Sequence, residues 1–459
     1  MIQNYGSNLC FRETNPDQNI CALNKIKKQS EYLQQDALYI DLSSYSQQNV
    51  DIINTMFQEI SYQSLQLIKL QLIVCKIANN ELIFFNQMRK LRCLEQVDMI
   101  CIDENSLDLA FLILEAISHR NVRELAFNIK SINMNQPAYH IKILRALKNM
   151  EQLRYLMLSF NEDEQVPQFK PLKQVNNVKH LQLIGGKHIH DYYLTIFPNL
   201  ETVYLKSDKF QFKISNNLIN HLENLQELTI QSINFLRFDH LINLQKITIT
   251  EKITGYTYFD DFKYLQNLKK LTILQQLDMA DVNWLNQIPF FPKGCSVEIK
   301  TLYYSKLLAL AENTNILLKI SQSNLCTNEN PQIIQSYSCW GGIRSFQNLI
   351  SLEQDIFNGE KFSDNQISKF IENLTYCEQL TFLRVHFFSK KLRKPCHIPQ
   401  NIQTQLALKT NLLFLQTDLK FSEQFHSFLN QKQATFLFLL IYKKLFQTFY
   451  PIPIIHELL

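Results

Sequence analysis

Apolar and polar positions fall into one short phrase that recurs along the chain, most plainly between Leu222 and Ile273. Three copies read Leu222-Glu-Asn-Leu225-Gln-Glu-Leu228-Thr-Ile230, Leu241-Ile-Asn-Leu244-Gln-Lys-Ile247-Thr-Ile249 and Leu265-Gln-Asn-Leu268-Lys-Lys-Leu271-Thr-Ile273. The second half of each alternates with a period of two, which predicts a short strand with one face on a core. The first half has helical spacing and predicts a turn that brings the chain round into that strand.

The same phrase extends in both directions. Upstream it predicts strands at Leu38-Tyr-Ile40-Asp-Leu42, Leu65-Gln-Leu-Ile68-Lys-Leu70, Leu94-Glu-Gln-Val97-Asp-Met99 and Val122-Arg-Glu-Leu125-Ala-Phe127. Residues Ser106 to Ser118 between them, with Leu107, Leu109, Phe111, Leu112, Leu114 and Ile117, predict a helix packed on one side. Leu153-Arg-Tyr-Leu156-Met-Leu158-Ser-Phe-Asn161, Val178-Lys-His-Leu181-Gln-Leu183 and Leu200-Glu-Thr-Val203-Tyr-Leu205 continue the series. Here the spacing shortens to about 19–25 residues, which predicts extended or 3₁₀ arcs in place of some helices. Downstream, Cys295-Ser-Val297-Glu-Ile299, Ile316-Leu-Leu318-Lys-Ile320, Phe346-Gln-Asn-Leu349-Ile-Ser-Leu352, Leu380-Thr-Phe-Leu383-Arg-Val385 and Leu412-Leu-Phe-Leu415 carry weaker copies.

A phrase repeated every 20–30 residues or so means stacked units, each burying its apolar face on its neighbours. The pattern resembles the leucine-rich repeat, and the period near 28 with helical returns upstream resembles its intracellular, ribonuclease-inhibitor-like type. The fold this implies is an α/β leucine-rich-repeat solenoid, a curved parallel sheet on the concave side with helices and irregular arcs on the convex side. In that family an Asn leaves the strand and its amide satisfies backbone groups there; Asn161 stands at that place, whereas Gly186 and Asp208 occupy it in other copies. The expected organisation is an N-terminal arm or cap (1–36), a repeat array (37–320, most regular over 150–275), an irregular loop (321–345), degenerate repeats (346–417) and an apolar C-terminal helix or cap (418–459).

Composition narrows the class of function. Lys and Arg exceed Asp and Glu by four, too little to predict nucleic acid or an anionic membrane as partner. The ten Cys stand as singletons without a CxxC pair, and the N-terminus has no basic stretch followed by an apolar core. Both features predict a cytoplasmic, reducing location with no signal peptide. Phe436-Leu-Phe-Leu-Leu-Ile-Tyr442 is far short of the roughly 18–20 residues that span a bilayer, so no transmembrane segment is expected. The tail is expected to cover the open end of the core. Contact with a membrane surface, supported by Lys443 and Lys444, stays open as an alternative.

Catalytic signatures are missing: there is no GxSxG, HExxH or kinase set, and Gly185-Gly186-Lys187 lacks the rest of a phosphate loop. His188-Ile-His190-Asp191 on an extended segment would share a face as metal ligands, but no further ligand lies nearby, and solvated loop histidines are the expectation. Cys377, His386, Cys396 and His397 match no zinc spacing, and Ser389-Lys-Lys-Leu-Arg-Lys394 reads as a solvated basic loop. No enzyme activity, cofactor or metal is expected.

The face left for function is the solvent side of the strands. Parity puts Tyr155, His180, Thr202, Glu227, Lys246 and Lys270 in one row and Met157, Gln182, Tyr204, Thr229, Thr248 and Thr272 in the next. From these rows Tyr155, Met157, His180, Gln182, Tyr204, Lys246 and Lys270, with Lys206 beside them, are the candidate contacts for another protein, because aromatic residues carry disproportionate contact energy. The function expected is a protein-binding scaffold or adaptor. The resemblance leaves two alternatives: a regulator of an enzyme, such as a small-GTPase activator or hydrolase inhibitor, and a ubiquitin-ligase substrate receptor, for which 1–36 is too short to hold the usual adaptor motif.

Overall fold

A computed structural model of the 459-residue chain describes residues 2–5, 8–11, 37–41, 69–74, 86–129, 137–160, 174–207, 221–251, 259–277, 285–301, 316–321, 344–358, 364–389 and 397–447, apart from short gaps inside some of these ranges. The chain divides into two compact units, Met1–Leu244 and Gln245–Leu459.

In the first unit an antiparallel pair, β1 (Ile2–Tyr5) and β2 (Asn8–Phe11), starts a sheet that continues entirely in parallel. β3 (Ala37–Asp41), β4 (Lys69–Val74), β5 (Gln96–Cys101), β6 (Glu124–Asn128), β7 (Tyr155–Ser159), β8 (His180–Ile184), β9 (Thr202–Lys206) and β10 (Glu227–Ile230) follow in chain order. Each pairs with the one before it. The returns include α1 (Leu107–Ile117), α2 (Pro137–Asn149) and α3 (Lys187–Ile196). One buried face of α1, from Leu107 to Ile117, lies on the core as its spacing predicts.

In the second unit β11 (Lys246–Ile249), β12 (Lys270–Leu277), β13 (Cys295–Thr301), β14 (Ile316–Ser321), β15 (Leu349–Asn358), β16 (Phe382–Ser389) and β17 (Phe414–Thr417) pair in parallel, again in chain order. Its returns include a 3₁₀ turn at Phe259–Tyr264, then α4 (Asp364–Leu374) and α5 (Gln400–Lys409). α4 buries Ile367, Phe370, Ile371 and Leu374, the i, i+3, i+4, i+7 stripe of an amphipathic helix. The array is thus a leucine-rich-repeat solenoid: parallel strands stacked in order with α and 3₁₀ returns.

One joint recurs in several copies of the phrase. Its Leu-x-x-Leu half is a single turn closed by an i to i−3 bond, with Leu225, Leu244 and Leu268 donating to Leu222, Leu241 and Leu265 at 3.0 Å each. Two consecutive N–H groups at the strand entry then share one carbonyl of the preceding repeat. Arg154 and Tyr155 donate to Arg123, Lys179 and His180 to Arg154, Glu201 and Thr202 to Lys179, and Lys269 and Lys270 to Gln245, all between 2.7 and 3.1 Å. Leu222, Leu225, Leu228 and Ile230 are at most 1% exposed. Each such side chain taken from water contributes about 1.5–3 kcal/mol.

Several expectations shift. The strand expected over Leu65–Leu70 is β4, two residues later, with Leu70, Leu72 and Val74 buried. The run from Leu65 to Val74 supports more than one alternating frame, and pairing of Leu70 with Val97 selects between them. His188 and His190 lie in helix α3, not on an extended or looping segment, and a helix has no period of two to support the shared-face argument. Strands β13 to β16 are longer than β7 to β11, ten residues in β15 against four in β10 and β11. β14 and β15, which flank residues 322–343, are paired. Asn161 and the basic run 390–394 lie outside the described residues.

The tail forms α6 (Glu423–Gln447). Ser422 caps its start, its hydroxyl accepting from the Phe425 N–H at 3.3 Å. Phe425 and Leu429 are buried, and the Lys432 ammonium donates to the Ala407 and Thr410 carbonyls at 2.7 and 2.9 Å. A cation there complements the C-terminal end of α5. Beyond it Leu437, Leu439 and Leu440 are exposed. Among the described residues no helix is long and apolar enough to cross a membrane.

Candidate interaction face

Strand register turns sequence parity into geometry. Across the first unit Lys69, Gln96, Glu124, Tyr155, His180, Thr202 and Glu227 stand in register on the face opposite the core. A parallel row carries Gln71, Asp98, Ala126, Met157, Gln182, Tyr204 and Thr229. Together these rows, Gln71 apart, line an open concavity of about 470 Å³.

Its centre is built from β7, β8 and β9. The Tyr155 and His180 rings stack with centroids 4.1 Å apart and planes 10° from parallel, while Tyr155 stays 49% exposed. His180 Nδ1 lies 2.7 Å from the Thr202 hydroxyl, which fixes the ring edge from the next strand. Burial pushes the His180 pKa below its ordinary value; Glu201 and Glu227 pull it back, and Lys179 adds to the depression. The ring is therefore neutral at pH 7 and presents an aromatic surface together with Tyr155.

At the β4 to β6 end, Gln71 donates to Asp98 at 3.2 Å, and Glu124 stands exposed beside Tyr155 in the row. Ala126, in register with Asp98 and Met157, is the smallest side chain of its row and lines the concavity between them.

Five of the expected residues, Tyr155, Met157, His180, Gln182 and Tyr204, line this one concavity. Lys206 is exposed at the end of β9, in register with Ile184, and is not among the lining residues. Lys246 and Lys270 belong to the second unit, in register with each other, and Lys270 is held by Glu298 at 2.8 Å. The sequence reading missed Lys69, Gln96, Asp98, Glu124 and Ala126. Parity applied to Val97 and Leu125, as it was to Leu156 and Leu181, finds all but the first.

Among the described residues no group of three His, Cys, Asp or Glu is placed to hold an ion. Burial raises the Cys295 and Cys377 thiols to about 12, which makes both inert packing groups at neutral pH.

No family model matches this sequence, and no curated protein matches it. Solved structures do resemble it. An internalin (inlF) of Listeria monocytogenes overlaps with a TM-score of 0.31 and 14% identity, over 82% of this chain and 91% of that one. A chain of the Toll–Spatzle complex of Drosophila overlaps with a TM-score of 0.35 and 11% identity, over 90% of this chain and 61% of that one. The repeat architecture itself rests on the registers and joints of this chain.

Proposed function

We propose that this chain is a non-enzymatic scaffold that binds another protein along the strand face of its first unit. The observation that carries this reading is the concavity of about 470 Å³ whose centre is the stacked Tyr155–His180 pair, with Met157, Gln182 and Tyr204 around it. Exposed aromatic surface on a rigid sheet binds at little ordering cost, because neither backbone nor stacked rings have freedom left to lose. Tyr and Met in a polar rim are also the residue types enriched at interface centres.

The helical returns α1, α2, α4 and α5 support the ribonuclease-inhibitor-like type of repeat. A reducing, intracellular setting is supported by free thiols at Cys93 and Cys295.

The test is affinity capture of partners by the intact chain beside the Tyr155→Ala, Tyr204→Ala double variant, with circular dichroism to establish that the variant is folded. A stoichiometric partner lost by the folded variant supports the strip; a partner retained undiminished removes it.

A further inference from the structure

We infer that the depression over Ala126 is a subsite for an arginine side chain of the bound partner, an inference that rests on the strand-face reading above. Four observations converge there. Ala126 contributes only a methyl group to a row otherwise filled by longer side chains, so the strip has a hole at that point. Its in-register neighbours are Asp98 on β5 and Met157 on β7, and Glu124 lies two residues before it on the same face of β6. The concavity as a whole is lined by three carboxylates, Asp98, Glu124 and Glu227, against one ammonium, that of Lys69, so its charge favours a cation. Tyr155 stacks one ring face on His180 of β8, which leaves the other face turned away from β8, toward the strand that carries Glu124 and Ala126.

An arginine fits this set better than other side chains. Its aliphatic stem rests on the Ala126 methyl and the Met157 thioether, its flat guanidinium lies against the Tyr155 ring, and its forked N–H groups reach carboxylates on two sides. Asp98 is already oriented by Gln71, whose amide donates to it at 3.2 Å, so less rotamer freedom is lost on binding. Lysine shares the charge but has neither the plane nor the fork. Leucine or methionine would fill the hole and leave two carboxylates desolvated at its rim, which costs affinity.

The test uses the intact chain and four pools of fluorescein-labelled ten-residue peptides, each with Arg, Lys, Leu or Glu fixed at one central position and a Gly, Ser, Ala and Thr mixture elsewhere, read by fluorescence anisotropy. The expected result is binding of the Arg pool at least about tenfold tighter than the Leu and Glu pools, with Lys between. That preference is expected to vanish in the Asp98→Asn, Glu124→Gln variant and to turn toward the Glu pool in Glu124→Arg. Equal binding by all pools, a Leu or Glu preference in the unaltered chain, no binding by the Arg pool, or an Arg preference that survives loss of both carboxylates overturns the subsite. Partner capture lost in the Tyr155→Ala, Tyr204→Ala variant, with no Arg preference in the unaltered chain, leaves the strip standing and removes the subsite alone. Capture indifferent to the tyrosines removes the strip.

Discussion

At Gln231, just past the end of β10, one side-chain amide replaces a missing rung of the sheet. The Ser207 N–H donates to its Oε1 at 2.6 Å, and its Nε2 donates to the Ser207 carbonyl, both residues being buried. By the resemblance an Asn would do this on leaving the strand, and here a longer residue does it. Gln231→Leu keeps the volume and removes both bonds to the buried Ser207 backbone, so we expect a loss of about 1–3 kcal/mol in urea unfolding. His180 sets a pH dependence. Its folded pKa lies below the ordinary value, so the unfolded chain binds the proton more readily, and stability falls as pH drops through about 6.5 toward the folded value. His180→Gln is expected to flatten the dependence of the unfolding midpoint between about pH 7 and 5. The central residues of the face were legible because parity alone decides which side of a strand Tyr155 and Tyr204 occupy. The Tyr155–His180 stack and the depression at Ala126 were not, since both depend on how neighbouring strands align and on which neighbours are small.

At the scale of elements, the turn and strand of each phrase follow from local sequence, because Leu-x-x-Leu and an alternating run leave one way to bury all four apolar groups. Arcs are different. Lys187–Ile196 reads as a segment leaving a strand, and becomes helix α3 because Tyr193, Leu194 and Ile196 find a core between repeats that no single repeat contains. The frame of β4 fails locally for a related reason, two frames being equal until β5 is beside it. Before β13 the turn is made by Gly294 at φ +79, where an added Cβ meets nothing within 4 Å. Gly294→Ala is therefore a backbone test free of steric clash, and we expect it to cost roughly 1–2 kcal/mol by urea unfolding. α6 is anchored on its neighbours through Phe425, Leu429 and Lys432, with Gln433 donating to the Leu413 carbonyl. Phe425→Ala, a loss of about 3–5 kcal/mol in its local core, is expected to speed amide exchange along Glu423–Gln447 while β11 to β14 keep their protection.

Within each unit the described strands pair with their neighbours in chain order, and the stability of such a stack is approximately a sum of repeats and their interfaces. Damage should accordingly stay near its source. Leu271, fully buried on β12, pairs with Ile247 on β11 and Val297 on β13. In Leu271→Ala, costing about 2–5 kcal/mol, amide exchange is expected to rise across β11, β12 and β13 and to leave β16 unchanged; a uniform rise over the second unit would mean the unit opens as one body.

The carbonyl shared at several strand entries bears on how such a chain can change length. Two donors on one acceptor fix where a strand begins whether the return before it is helix α2 or the 3₁₀ turn Phe259–Tyr264. The chain thus keeps a ruler marked in repeats, and residue number between marks is free to vary. A segment running from one mark to the next can be spliced out or duplicated, and the strands on either side meet in the old register. Gene-level recombination at these points would lengthen or shorten the recognition strip in steps of one strand, without redesign of what remains.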